Sequence, residues 1–274
     1  FAAPALADLA VSLYVIAAPT GVTGHPGSRT TSYLLQGDRA AAPTLPGASK
    51  PEHWYLLSRV DVVAPPTAAA VVVLGNSIAD GRGSGTDKND RWPDNLARRL
   101  RAGAATRDVS VLNAGIGGNA VLTGGLGPPA LQRLDRDVLD QPGVRWLIVS
   151  EGVNDLGTAR PGLADSVAAK LIGAYREIVA RAHARGMRVY GATILPFGGS
   201  FYSTPEREAA RQRVNAWIRA RGNFDELIDF DAAMRDPLDP TRLRPEVDSG
   251  DHLHPNEQGY RVMADAIDMA QFGQ

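Results

Sequence analysis

From residue 68 onward the chain alternates short apolar runs with longer amphipathic stretches, and that alternation leaves few folds open to it. The pattern predicts strands at 69–74, 108–112, 144–151, 187–195 and 226–231, and helices at about 91–102, 163–185, 205–221 and 256–270. A run such as Val71-Val72-Val73-Leu74 has no polar alternation, which is the habit of a strand buried on both faces. Arg91-Trp92-Pro93-Asp94 places proline in a first helical turn, and Gly186 fits a helix stop. Five strands alternating with helices predict an α/β fold with a parallel sheet covered on both faces. Right-handed crossovers then bring the carboxyl ends of the strands to one edge, where open α/β sheets bind ligands.

Residues 1–67 read differently. Ala10–Val15, Thr31–Leu35, His53–Leu57 and Val60–Val63 are strand-like, separated by Gly/Pro/Ser connections, and Pro65-Pro66 closes the region. We expect a small β-rich appendage over 1–67, the tail of a truncated domain, ahead of a main domain at 68–274. The stretch from Phe1 to Pro19 is apolar, yet it has no basic leading segment and Asp8 interrupts it, so it is not read as a signal peptide. A chain opening on Phe rather than Met is expected to be processed or trimmed, which fits a secreted or periplasmic protein and leaves a cytoplasmic one open. No apolar run approaches the ~18 residues that span a bilayer. A formal net charge of -1 provides no field for nucleic acid or anionic membrane. The chain has no cysteine, which removes disulfides, thiolate catalysis and cysteine metal sites together.

Four segments carry residues suited to chemistry. The first predicted strand runs into Gly75-Asn76-Ser77, a turn that places a serine at the sheet's carboxyl edge; Asn and Ser are also ordinary turn and capping residues. Asn113-Ala114-Gly115-Ile116-Gly117-Gly118-Asn119 follows the second, where glycines let backbone N–H groups approach a ligand. It has neither pattern of a nucleotide-binding loop, so anion-hole donors are the better use. Ser150-Glu151-Gly152-Val153-Asn154-Asp155 follows the third; the Asn154 amide can donate to an oxyanion, or Asn154 forms a turn and Asp155 a cap. Asp251-His252-Leu253-His254-Pro255 precedes the last helix, and an aspartate three residues ahead of a histidine can fold back onto its imidazole. His254 has that spacing, whereas the ring of His252 points elsewhere. Asp248, Asp251, His252 and His254 are also potential zinc ligands, but they share one loop with no distant ligand, and no metal or other cofactor is expected. His25, His53 and His183 suit surface or packing roles.

In this order the four segments resemble the SGNH hydrolases, also called the GDSL esterase/lipase family, from about residue 68 to the C-terminus. The resemblance implies a flavodoxin-like three-layer α/β/α sandwich with a five-stranded parallel sheet. It implies Ser77 as nucleophile, His254 as base and Asp251 as its orienting partner, with Ser77 N–H, Gly118 N–H and the Asn154 side chain as the oxyanion hole. One departure stands out: the family usually has aspartate before the serine, where this chain has Asn76. The stretches Asp80–Ser84 and Arg91–Pro93 further resemble a bacterial subgroup that often carries a β-rich domain ahead of the hydrolase.

The expected function is hydrolysis of short-chain carboxylic esters through an acyl-enzyme, on a small-molecule or glycan substrate. Carbohydrate O-acetyl esters are the alternative substrate, and a glycan-binding module with decayed catalytic machinery is the alternative class. Phe197, Phe201 and Tyr202 are expected to line an apolar acyl pocket.

Overall fold

The structure is a computed structural model that describes residues 3–273; Phe1 and Ala2, at the head of the apolar N-terminal stretch, lie outside the described residues. Within 3–67 the regular structure is the antiparallel pair β1 (Gly24–His25) and β2 (Trp54–Tyr55), with one further bridge between Leu34 and Ser49. The strands expected across Ala10–Val15 and Val60–Val63 do not form. Val11, Leu13, Val15, Val62 and Val63 are all exposed. β-Branched residues favour a strand only when a half-buried pleated surface receives them, and these have none.

The main body follows the expected alternation. Its strands are β3 (Ala69–Gly75), β4 (Val109–Gly115), β5 (Val144–Ser150), β6 (Arg188–Ala192) and β7 (Glu226–Ile228). They form one parallel sheet in the order β4-β3-β5-β6-β7. Every residue of β3 is buried, as its unbroken apolar run requires of an interior strand. The helices are α1 (Ser77–Asp80), α2 (Trp92–Ala102), α3 (Ala130–Leu134), α4 (Val153–Gly157), α5 (Ala164–His183), α6 (Pro205–Arg219), α7 (Phe230–Met234) and α8 (Glu257–Asp265). α2 packs on α8 and α5 on α6, which gives the two helical layers of an α/β/α sandwich. Sequence periodicity anticipated α2, α5, α6 and α8. The other four are four or five residues long, too short for a 3.6-residue period to register.

Register matters most for the site. Gly75 lies level with Gly115 on one side and Ser150 on the other. Three turns therefore leave the sheet side by side, carrying Ser77, Gly118 and Asn154.

A buried ionic cluster anchors the far side of the sheet. Asp231 is fully buried and receives Arg211 at 2.6 Å, Arg219 at 2.6 Å and Arg235 at 3.2 Å. Arg211 also donates to the carbonyl of Ile194, just beyond β6, and to Glu208. Truncating Asp231 strands the fully buried Arg211 without one of its two carboxylates. Asp231→Ala should therefore cost about 3 kcal/mol of stability by urea denaturation, several times the cost of removing an exposed surface carboxylate.

Candidate active site

Asn76 and Ser77 leave β3 in a tight turn. The Asn76 side chain accepts from the backbone N–H of Ile78 at 3.0 Å and so caps α1, which makes Ser77 the first residue of that helix. The Ser77 hydroxyl lies 2.8 Å from His254 Nε2. His254 arrives from the loop before α8, and its Nδ1–H donates to Asp251 at 2.7 Å. The same carboxylate accepts the backbone N–H groups of His254 at 2.8 Å and Leu253 at 3.0 Å. Burial pushes Asp251 upward, but these bonds and the imidazole outweigh it and hold the carboxyl at about 2. Burial likewise lowers His254, Asp251 opposes that by bonding the ring, and the net value stays below the usual 6.5. A neutral imidazole with Nε2 open toward a hydroxyl is able to remove a proton from it.

His252 goes elsewhere: its Nδ1 bonds Asp248 at 2.6 Å, on a backbone held at φ +60°. The four acidic and imidazole groups of this loop thus divide into two separate Asp–His pairs. His183 bonds Asp225 on the surface.

Gly118 sits at φ +72°, a conformation that a side chain resists. Among the described residues the backbone N–H groups of Ser77 and Gly118 donate to no protein acceptor. Asn154 is buried beside them. One of its amide hydrogens goes to the Asn119 carbonyl at 2.7 Å, and its Oδ1 accepts from the Tyr202 hydroxyl at 2.9 Å, which leaves the second amide hydrogen for a ligand. Asp155, for which a cap is the alternative reading, accepts the backbone N–H groups of Val121 and Leu122, both at 2.9 Å, and fastens the loop beyond Gly118.

Leu126, Phe201 and Tyr202 line the cleft that holds Ser77, Gly118, Asn154 and His254. Phe197 does not, contrary to expectation. It is buried behind Tyr202, edge-on at 6.5 Å between ring centroids. His25 packs edge-on against Trp54, with ring centroids 5.6 Å apart, and adds a polar contact. Its Nε2 lies 2.6 Å from Asp80, at the end of α1, whose other oxygen accepts the Gly117 N–H at 2.9 Å. Nothing in the sequence pairs two residues 55 apart.

Under the serine turn lies a buried set that motif reading missed. Arg133, fully buried, donates to the carbonyls of Gly75 at 3.0 Å and Ala114 at 2.6 Å, and to Asn119 Oδ1 at 3.0 Å. It thereby ties the ends of β3 and β4 to the glycine loop. Its guanidinium also lies 3.6 Å from Glu151, whose Oε1 has no hydrogen-bond partner. Burial raises Glu151 to about 8 against the pull of Arg133. Asn76 donates to Glu151 at 3.2 Å. An amide therefore suits position 76, because an aspartate would set a second carboxylate against Glu151.

That contact has a pH signature. An acid raised from 4.5 to about 8 on folding contributes stability that is complete below pH 4.5 and lost as pH rises toward 8. Asn76→Asp should steepen this loss, costing about 2 kcal/mol more at pH 8 than at pH 5 by chemical denaturation. Glu151→Gln in the same background should remove the added slope; an Asn76→Asp chain as stable as wild type at pH 8 would refute the contact.

A family model described as GDSL-like Lipase/Acylhydrolase matches residues 73–262. No curated protein matches the chain. Among solved structures, an acetylxylan esterase from Geobacillus stearothermophilus is 20% identical, with 73% of this chain and 93% of that one covered at a TM-score of 0.53. A GDSL-like lipase from Bacteroides thetaiotaomicron VPI-5482 is also 20% identical, with 76% and 91% covered at 0.53. At such identity these likenesses speak to the fold, while the family match spans the segments that carry Ser77, Gly118, Asn154 and His254. The chain belongs to the GDSL-like lipase/acylhydrolase family and is a carboxylic ester hydrolase.

Proposed function

We propose that the protein hydrolyses short-chain acyl esters through an acyl-enzyme on Ser77. The observation that carries this reading is the unbroken chain Ser77 Oγ–His254–Asp251, with contacts of 2.8 and 2.7 Å. Ser77 Oγ attacks the ester carbonyl carbon while His254 Nε2 takes its proton. The carbonyl oxygen becomes an oxyanion, received by the N–H groups of Ser77 and Gly118 and the free amide hydrogen of Asn154. As the intermediate collapses the bond to the alcohol oxygen breaks, and His254 returns the proton to that oxygen. Water then attacks the acyl carbon, gives its proton to His254, and the acid leaves as Ser77 regains its hydrogen. Asp251 holds the Nδ1–H tautomer throughout and stabilises the transient imidazolium.

A second substrate, the O-acetyl group of a carbohydrate, is favoured by one observation. Phe201 is 75% exposed on the cleft, with its ring 4.3 Å from that of Tyr202, and an open aromatic face is a stacking surface for sugar. The acetylxylan esterase neighbour accords with it. The decayed-module alternative is disfavoured because Asn76 leaves every bond of the Ser77–His254–Asp251 chain in place.

Ser77→Ala should lower kcat on para-nitrophenyl acetate by roughly a thousand-fold or more, and wild-type-like turnover would overturn the assignment. Parallel assays over acyl length and on acetylated xylan separate the two substrates. The pH profile tests His254. It must be neutral to act, so kcat/KM should fall only as pH drops through a midpoint below 6.5. Asp251→Asn should both slow the reaction and move that midpoint lower still, since the group that raises His254 is gone.

A further inference from the structure

Of the arginines along the broad cleft of Ser77 and His254, Arg29 and Arg82 are the two whose charge acts on His254, and neither is committed to a carboxylate of its own. Arg82 lies just past α1, its backbone N–H donating to the Ser77 carbonyl at 2.9 Å and its carbonyl accepting from the Tyr260 hydroxyl at 2.6 Å. Its side chain is 65% exposed, and its nearest acid is Asp251 at 3.9 Å, already bonded to His254. Arg29 comes from the N-terminal segment. Among the described residues it has no acid within 4 Å, and its one side-chain bond is to the carbonyl of Gly27 at 2.8 Å.

The loop that carries Arg29 is built in place. His25 bonds Asp80, Arg91 donates to the carbonyl of Ser28, and Asp87 receives Thr31 at 2.7 and 2.5 Å. Gly27 lies so close to the Asp80 carboxylate that a Cβ there would collide with it. Arg29 itself is held at φ +46°, a strained conformation for a residue with a side chain. Burial lowers its hold on the proton first; Asp80 and Tyr260 oppose this, and Arg91 and Arg82 add repulsion. Asp80 attracts Arg29 only from beyond ion-pair distance, its two oxygens being bonded to His25 and the Gly117 N–H. Arg91 differs from both, being paired with Asp94 at 3.3 Å. Two cations on the cleft beside Ser77 and His254, neither with a carboxylate of its own, suit an anionic ligand.

We infer that Arg29 and Arg82 form a cationic subsite that selects esters bearing a carboxylate. This rests on the esterase reading above and assigns the N-terminal segment a part in choosing substrate. The carboxylate can belong to the acyl group or to the alcohol, so the test carries an arm for each. Mono-para-nitrophenyl succinate is compared with para-nitrophenyl pentanoate, its neutral counterpart, and para-acetoxybenzoate with its methyl ester. At low ionic strength the wild type should favour the anionic member of one pair by roughly ten-fold in kcat/KM, and 0.5 M salt should erase much of that preference. Arg29→Gln and Arg82→Gln should each lower the anionic-to-neutral ratio several-fold, with the change mainly in KM. The responding pair identifies the side of the ester. No preference in either pair, or a ratio untouched by both substitutions, would overturn the subsite. Were none of the esters hydrolysed, the esterase reading would fall instead. The subsite would then be judged by calorimetric binding of the same four esters, with equal affinity for charged and neutral members counting against it.

Discussion

The parallel pairing of β3 between β4 and β5 is the constraint on which the rest of the molecule depends. It sets Gly75, Gly115 and Ser150 at one level, so that three backbone turns emerge within reach of one another. Each turn then needs only a local device. Asn76 caps a one-turn helix, Gly118 adopts a left-handed backbone, and Asn154 gives one amide hydrogen to Asn119 and keeps the other free. A slip of one residue in this ladder would reverse the faces of β3 and carry Ser77 away from His254.

The sheet and its long helices were legible because burial on both faces writes itself as unbroken apolar runs and amphipathic helices as a 3.6-residue period. The Asp251–His254 pair was legible for a local reason, the three-residue spacing. The ladder that supports the turns was not. Arg133 lies on a five-residue helix with no period to announce it, and its partners at Gly75, Ala114 and Asn119 are backbone and amide groups that leave no trace in composition. Glu151 looked like part of a motif; only its burial and its contact with Asn76 and Arg133 show why it matters. The N-terminal stretch misled for the opposite reason. Its β-branched residues suit strands, but no surface lies beneath them, and the same segment supplies His25 and Arg29 through contacts more than fifty residues long in sequence.

Polar atoms under the site are arranged for rigidity. The guanidinium of Arg133 spans three neighbouring backbone segments, a task that water does poorly because it exchanges. Carboxylates take the complementary part. Asp155 holds the loop beyond Gly118, Asp80 holds Gly117, and Asp251 holds both the ring and the backbone of His254. Ser77, Asn154 and His254 thus sit on a scaffold of charged groups whose hydrogen bonds are spent largely on backbone.

The spacing of the hydroxyl and imidazole along the chain has a consequence for folding. Asp251 and His254 are three residues apart and can find each other in a fragment, whereas Ser77 and His254 are 177 apart. The Ser77–His254 contact closes only when the last loop and α8 settle against α2 and the sheet. Loose or frayed C-terminal states therefore keep an assembled acid–imidazole pair yet have no hydroxyl beside it. The Ser77–His254–Asp251 chain is thus completed by its longest-range contact, a closure that the topology imposes on a locally formed pair.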